Sequence, residues 1–283
     1  MIKAVPGMTA DWDFVRSIQP GLEIKRAVRW IAGARRAPAF SVVKPLRAEP
    51  TWMVFFLYCP TGELTSSDEF TLSRLRDLAT PVLVVCACEK LAKIPAKLAQ
   101  YSDALIWKEL SGFDFSGYSI ALRFIASQSP GATAFVLNNS VLGPFSDLRE
   151  FIKTSRWDLS GLTASSSDGN HIQSYAFVLR DVTLERMDQL KRVFPKSYAY
   201  NTAHDVVLCQ ELMMARVAHR HMAVGSHWYS RNEVMQDPTL VKPLELLDAD
   251  FPFLKRSLLG KYRAYQATEE MRSRLTQLGH PEV

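Results

Sequence analysis

Apolar positions along this chain gather in short blocks separated by polar turns, the pattern of buried strands alternating with helices. The densest block, Thr51 to Tyr58 (TWMVFFLY), is short enough for a central strand, and Cys59-Pro60-Thr61-Gly62 closes it in a loop. Phe70, Leu72, Leu75 and Leu78, with Arg74 and Arg76 between them, carry a helical spacing, and Pro81 to Ala87 (PVLVVCA) is a second buried strand. Strand, helix, strand predicts a parallel βαβ unit with a right-handed crossover, its first loop on the ligand face. Asp103 to Trp107 is a third short strand, Ser111 to Tyr118 a glycine-bracketed loop, and Tyr118 to Ala126 a helix. The run Ala134-Phe135-Val136-Leu137 then stops abruptly at Asn138-Asn139-Ser140, and Gly143-Pro144 turns the chain away. In an open α/β sheet, ligands bind outside the carboxyl ends of such strands. Further on, Asp147 to Lys153, Leu184 to Val193 and Asp205 to Ala218 read as helices, His171 to Leu179 as a strand, and Tyr262 to Leu278 as a charged helix.

The first 48 residues have a different texture. Val15, Ile18, Leu22, Ile24, Val28, Trp30 and Ile31 are mixed with Arg16, Lys25, Arg26, Arg29, Arg35 and Arg36, and Pro20-Gly21 interrupts them. Such a segment either lies on an anionic membrane or packs on its own domain with its charges in water. Pro38, Pro45 and Pro50 lead into the main fold. Three parts are therefore expected: a basic, partly helical extension over 1–48, the main domain over 49–260, and a C-terminal helix over 261–283.

With 47% apolar and 22% charged residues in 283, the composition is that of a folded globular chain. The net charge of +5 suits phosphorylated ligands or an anionic surface and is too small to imply nucleic acid. Cys86-Ala87-Cys88 lacks the spacing of a zinc or thioredoxin-type site, so the four cysteines are expected to be buried, free thiols. Together with the lack of a signal peptide or membrane-spanning run, this predicts a cytoplasmic protein, with peripheral contact on the cytoplasmic face of the inner membrane as the further option. No Gly-x-Gly-x-x-Gly or Walker motif supports a dehydrogenase or P-loop enzyme, and His219, His221 and His227 match no zinc pattern.

The candidate chemistry is polar and dispersed. Asn138, Asn139 and Ser140 either face a sugar-nucleotide pyrophosphate or form a polar turn after a core strand. Asp114 either holds a ribose or sugar hydroxyl or caps the following helix. The polar half of the strand starting at His171, with Gln173 and Ser174, fits a strand leaving a wet site for the core, and Glu211 sits within a helical stretch.

Four pieces, in order, resemble the rhamnan synthesis F (RgpF-like) family of bacterial polysaccharide glycosyltransferases. They are Gly112-Phe113-Asp114-Phe115-Ser116-Gly117-Tyr118, Leu137-Asn138-Asn139-Ser140-Val141-Leu142-Gly143-Pro144, Trp157 to Thr163 followed by His171-Ile172-Gln173-Ser174-Tyr175, and Pro252-Phe253-Leu254-Lys255. The resemblance spans roughly 51–259. It implies an α/β, GT-A-like nucleotide-sugar-binding fold with a central, mostly parallel sheet flanked by helices. The implied activity is that of a hexosyltransferase moving rhamnose or another hexose from a nucleoside-diphosphate sugar to a growing cell-surface polysaccharide or lipopolysaccharide, on a glycan or lipid-linked glycan acceptor. The alternative is a catalytically silent nucleotide-sugar- or glycan-binding protein of the same fold.

The resemblance also distributes roles. Asn138, Asn139 and Ser140 would hold the diphosphate, Asp114 and Tyr118 the nucleoside or donor sugar, and His171, Gln173 and Ser174 the acceptor. An inverting enzyme needs a carboxylate base, for which Glu211, Asp158 and Asp205 are the candidates and Glu211 is favoured. Asn139 stands where the family carries Asp. A neutral amide oxygen is a weaker ligand for Mg²⁺ or Mn²⁺ than a carboxylate. Either Asn138 or Asn139 shares a divalent cation with a neighbouring acid, or basic residues and backbone amides offset the leaving group's charge instead.

Overall fold

The apolar blocks become strands because each can be covered on both sides. In a computed structural model of the chain, which describes residues 3–17, 20–231, 237–262 and 268–281, the strands in chain order are β1 (Thr9–Asp13), β2 (Ala34–Arg36), β3 (Phe40–Lys44), β4 (Thr51–Tyr58), β5 (Val82–Ala87), β6 (Ala104–Lys108) and β7 (Ala132–Asn138). They continue as β8 (Val141–Leu142), β9 (Leu159–Ser165), β10 (His171–Ile172), β11 (Ala176–Val182), β12 (Tyr198–Tyr200), β13 (Val224–Ser230) and β14 (Leu254–Lys255). Every residue of β5 is buried, as are the six central residues of β4. Strands covered on both faces are the mark of a parallel sheet centre.

Ten strands form one sheet in the order β1-β13-β9-β11-β7-β4-β5-β6-β3, with β10 paired to β9. The centre, β7-β4-β5-β6, is parallel. β9 and β13 share its direction, while β1, β3, β10 and β11 run against it. The fold is thus mixed α/β, with a large, mostly parallel sheet flanked by helices. Leaving β4, the chain builds β5 and β6 to one side and then crosses to β7 on the other. That reversal opens a crevice at the carboxyl ends of β4 and β7.

The segment over 1–48 supplies both outermost strands, β1 and β3, so backbone pairing ties it to the sheet edges. Its helix α1 (Pro20–Ala32) begins on a proline, whose fixed φ suits a first turn. At the other end, Met271 and Leu275 of the helix Thr268–Gln277 pack with Leu142, Leu254 and Leu258. The rest of the expected C-terminal helix, 263–267, lies outside the described residues. No helix among the described residues is long and apolar enough to cross a membrane.

The remaining helices needed below are α2 (Ser66–Asp77), α3 (Leu98–Tyr101), α4 (Phe113–Gln128), α5 (Leu148–Thr154), α6 (Leu184–Gln189), α7 (Ala203–Val206) and α8 (Leu212–Ala218). α2 starts in a reciprocal cap, the Thr65 hydroxyl accepting from the Asp68 N–H while the Asp68 carboxylate accepts from the Thr65 N–H. α4 starts earlier than the sequence pattern suggests, taking in most of the glycine-bracketed stretch. Gly112 precedes it with φ +85°, and a Cβ there would stand 2.6 Å from the Ser116 hydroxyl. The stretch read as one helix from Asp205 to Ala218 is divided by a π-helical turn, Val207–Glu211, and the strand from His171 breaks at Gln173–Tyr175. Both interruptions fall on residues the site uses.

Helix α4 lies against β4 so closely that its Gly117 has no room for a side chain. A Cβ at that position would sit 2.4 Å from the ring of Phe56, which is itself buried. Gly117→Ala should therefore lower unfolding stability by about 1–3 kcal/mol, because the ring cannot retreat without moving the sheet. Urea denaturation of the variant against the wild type checks this.

Candidate active site

The crevice predicted by strand order is a cleft of about 950 Å³. Its floor and walls come from Phe56 and Tyr58 at the end of β4, the loop after it, the turn into α4 with Asp114, and Asn138-Asn139-Ser140 after β7. Arg256 closes one side. The volume suits a ligand the size of a nucleotide sugar.

One chain of hydrogen bonds runs from the cleft into the molecule. The Asn138 amide donates to the Asp114 carboxylate at 2.8 Å, and its oxygen accepts from the Ser140 N–H at 3.0 Å and from the Ser140 hydroxyl. The Tyr118 hydroxyl, one helical turn after Asp114 and fully buried, reaches the same carboxylate at 3.5 Å and donates to the Ser174 carbonyl at 3.1 Å. The Ser174 hydroxyl donates to the Glu211 carboxylate. Six sequence-predicted residues (Asp114, Tyr118, Asn138, Ser140, Ser174 and Glu211) are thus connected. Of these, Asp114, Asn138 and Ser140 line the cleft; Tyr118 and Ser174 are buried behind them, and Glu211, further along, is partly exposed.

The local structure explains the meeting. The break at Gln173–Tyr175 frees Ser174 to face α4 and the π turn, whereas a continuous strand would have bound its backbone into the sheet. The π turn puts one extra residue into the helix before Glu211, and such turns recur at functional positions.

Electrostatics single out Asp114. Burial, and then the charge of Glu211, push its carboxyl up to about 6 from the ordinary 3.8, although the Phe115 N–H and the Asn138 amide pull the other way. Burial likewise lowers Lys108 to about 7. That ammonium ends β6 in the interior, donating to the Ser111 carbonyl at 2.8 Å and the Phe113 carbonyl at 3.3 Å beneath the Phe56 ring. It holds the turn that aims Asp114.

Asn139 behaves differently from its neighbour. Its amide oxygen accepts from the Tyr58 N–H at 3.2 Å, and its nitrogen donates to the Tyr58 carbonyl at 3.1 Å and to Asp68 at 3.2 Å. The side chain thereby extends β4 by a backbone-like pair. Asp68, buried and tied to Thr65, also faces Arg256 at 3.5 Å. A divalent cation at Asn139 would have to share an amide oxygen that already accepts from Tyr58 and a carboxylate already shared among Thr65, Asn139 and Arg256. Among the described residues no three His, Cys, Asp or Glu side chains gather as a metal group.

Two basic residues belong to the closing motif and its flank. β14 pairs with β8, Leu254 opposite Leu142 and Lys255 opposite Val141, and the Arg256 N–H donates to the Ser140 carbonyl at 3.0 Å. Lys255 lies 3.1 Å from Asp237 and over the Tyr175 ring; burial works to lower its ammonium, yet the charges of Asp237, Glu211 and Asp114 together outweigh it and hold it above the usual lysine range. Lys108, Asp68 and Arg256 were not singled out from the sequence. Thr65-x-x-Asp68 is a visible cap signature, but nothing local marks Lys108 or Arg256.

The other predicted residues fall elsewhere. Asp158 sits before β9, at the opposite end of the sheet from Asn138, where it accepts from the Ala223 N–H at 2.9 Å and lies 3.7 Å from Arg186. Asp205 is buried in an ion pair with Arg29 at 2.6 Å and takes the Thr202 hydroxyl at 2.8 Å as part of the cap of α7. Both have structural partners and neither joins the network. His171 and Gln173 are buried, their side chains bonded to each other at 3.2 Å, with the His171 ring on the Gly169 carbonyl and the Gln173 N–H on the Thr163 carbonyl.

The family model described as rhamnan synthesis protein F matches residues 82–278. No curated protein matches the chain. Among solved structures, 4-diphosphocytidyl-2C-methyl-D-erythritol synthase from Anaerococcus prevotii is similar at 11% identity and a TM-score of 0.40, over 71% of this chain and 98% of that one. A mannosyltransferase from Pyrobaculum calidifontis, in complex with GDP-Man and Mn²⁺, is similar at 12% identity and a TM-score of 0.39, over 93% of this chain and 84% of that one. Likenesses this distant leave the description of the fold to the strands themselves.

The carboxyl of Asp114 makes stability depend on pH. Its folded-state pKa is raised, so its contribution is complete below about pH 4 and is lost as pH rises through about 6. Asp114→Asn should therefore stabilise the fold more at pH 7 than at pH 4, by on the order of 1–2 kcal/mol. Thermal melts of both proteins across that range give the comparison, and parallel pH curves would mean that Asp114 titrates normally.

Proposed function

The chain belongs to the rhamnan synthesis protein F family, and on that premise we propose that it is a glycosyltransferase. In this reading it moves rhamnose or another hexose from a nucleoside-diphosphate sugar to a growing bacterial cell-surface polysaccharide or lipopolysaccharide. The observation that carries the reading is the hydrogen-bonded chain from Ser140 through Asn138, Asp114, Tyr118 and Ser174 to Glu211, which begins in a cleft at the reversal of strand order. The four buried, free cysteines suit a reducing cytoplasm, where nucleotide sugars are available.

Each step has a group to perform it. The diphosphate lies along Asn138-Asn139-Ser140, with Asn138 and Ser140 held in place by their mutual bonds. Arg256, on the cleft wall, faces it with a fixed positive charge. This guanidinium offsets the charge that develops on the leaving nucleoside diphosphate, a role that a preorganised donor fills without rearrangement. Asp114, on the cleft wall, takes a ribose or donor-sugar hydroxyl, and the buried Tyr118 acts behind it by bracing its carboxylate. Glu211 accepts the proton from the acceptor hydroxyl as that oxygen attacks the anomeric carbon, and Ser174 fixes its carboxylate by donating to it. A glycan or lipid-linked glycan acceptor enters on the Ser174 side.

The lost acid at position 139 favours one competing reading, a silent protein that binds the nucleotide sugar and does not turn it over. Release of nucleoside diphosphate from a panel of nucleotide sugars separates the two. The expected result is release from one donor, with or without a chelator. Thermal stabilisation by nucleotides without any release would favour the silent reading. Glu211→Gln should cut turnover by about 10²-fold or more while nucleotide affinity stays within a few-fold. Near-wild-type turnover would move the base elsewhere. Arg256→Met should weaken both nucleotide binding and turnover by about tenfold or more, since a charge-assisted contact to phosphate is removed.

A further inference from the structure

Helix α1 is packed inside out. A helix on the surface of a globular domain normally buries its apolar stripe and turns its charges to water. In α1 three of the four charged residues, Glu23, Arg26 and Arg29, reach inward to partners on the body. Arg26, only 4% exposed, donates to the Leu208 carbonyl at 2.9 Å and to Glu23 at 2.8 Å. Glu23 also pairs with Arg216, and Arg29 reaches Asp205 at 2.6 Å. The opposite face carries Ile24, Val28 and Ile31, at 72%, 60% and 77% exposure, flanked by exposed Ala27 and Ala32. Single exposed apolar side chains are ordinary. Three large ones at helical spacing, on a helix fastened by its charges, form a continuous patch.

The surroundings of the patch are cationic. Lys25, Arg35 and Arg36 are exposed along or just beyond the helix, while Glu23, the one acid between Pro20 and Arg36, is held between two guanidinium groups. A second copy of this chain would bring Lys25, Arg35 and Arg36 against their own kind, at an electrostatic cost. An anionic bilayer meets both demands, taking the apolar side chains into its headgroup boundary and pairing the cations with lipid phosphates.

We propose that α1 is a peripheral membrane anchor that lies in the plane of an anionic bilayer with Ile24, Val28 and Ile31 inserted. The inference stands on the packing of α1 alone and does not depend on sugar transfer in the cleft. It gives the inward-facing charges a purpose, since they fasten the helix to the body while leaving its apolar side free. Through the Leu208 carbonyl, Arg26 also attaches the anchor to the π turn that ends in Glu211.

Sedimentation of the full chain with vesicles tests the proposal. Pure phosphatidylcholine vesicles are compared with vesicles that also contain phosphatidylglycerol, at low and high salt. The wild type should bind the anionic vesicles and be released by salt. The triple variant Ile24→Ser/Val28→Ser/Ile31→Ser should bind at least about tenfold more weakly, with unchanged melting temperature and mass in solution. Because the replaced side chains are already exposed, folding should survive, and Lys25→Glu/Arg36→Glu provides a second variant with the same expected loss. Equal binding by the variants, or no binding by the wild type, would overturn the proposal. So would a wild-type dimer that the triple variant converts to monomer, which would assign the face to a second copy, or capture of an acidic protein with no affinity for lipid.

Discussion

The cleft is organised around one carboxylate, that of Asp114, which its surroundings both hold and burden. Asp114 lies in the first turn of α4, where backbone amides left free by the helix favour an anion, yet burial and Glu211 oppose its ionisation. Its surroundings are built to balance these effects. The Asn138 amide and the Phe115 N–H donate to it, Tyr118 stands above it, and the buried Lys108 ammonium fixes the turn before it. Gly112 and Gly117 are required by the same arrangement, one to make the turn and the other to let α4 approach Phe56. The end of β7, the start of α4 and the end of β4 are thus held to one another by polar bonds as well as by the core.

That balance also explains the distribution of charge around the cleft. On the β7 side, Asn139 uses its amide to prolong β4, and Asp68 is occupied by Thr65, Asn139 and Arg256. Positive charge is delivered by a segment more than a hundred residues later in the chain, where the short pairing of β14 with β8 sets Arg256 beside Ser140. Arg256 is thereby placed on the wall of the cleft, while Lys255 is held by Asp237. In the proposed mechanism the Arg256 guanidinium supplies charge compensation to the leaving diphosphate.

Much of this was legible from residue pattern. The strand ending at Asn138 was marked by an apolar run that stops at three polar residues, and a strand end in a parallel sheet is by construction at the ligand edge. The βαβ opening was equally plain, because β4 and β5 are apolar on both faces. Long-range pairings were not legible. Nothing near Arg256 says that it will lie beside Ser140, and nothing near Lys108 says that an ammonium will end a strand in the interior. Acids were the hardest to sort. Asp158, Asp205 and Glu211 look alike in sequence, and only their partners distinguish them: a backbone amide and Arg186 for the first, Arg29 for the second, and the Ser174 hydroxyl for the third. The extension over 1–48 gave its basic, amphipathic character readily. Its strand pairings at both edges of the sheet, and the inward turn of its charges, depend on residues far away in the chain.

The central claim is that the diphosphate of a nucleotide sugar rests at the carboxyl ends of β4 and β7. The most direct measurement is a crystal structure of the protein soaked with the nucleoside diphosphate that stabilises it best. The account predicts phosphate density within hydrogen-bonding distance of Ser140 and the Arg256 guanidinium, with the nucleoside extending along the cleft towards Asp114. Density elsewhere, such as in the apolar groove between Phe40, Phe124 and Tyr198, with the cleft left to water, would contradict it.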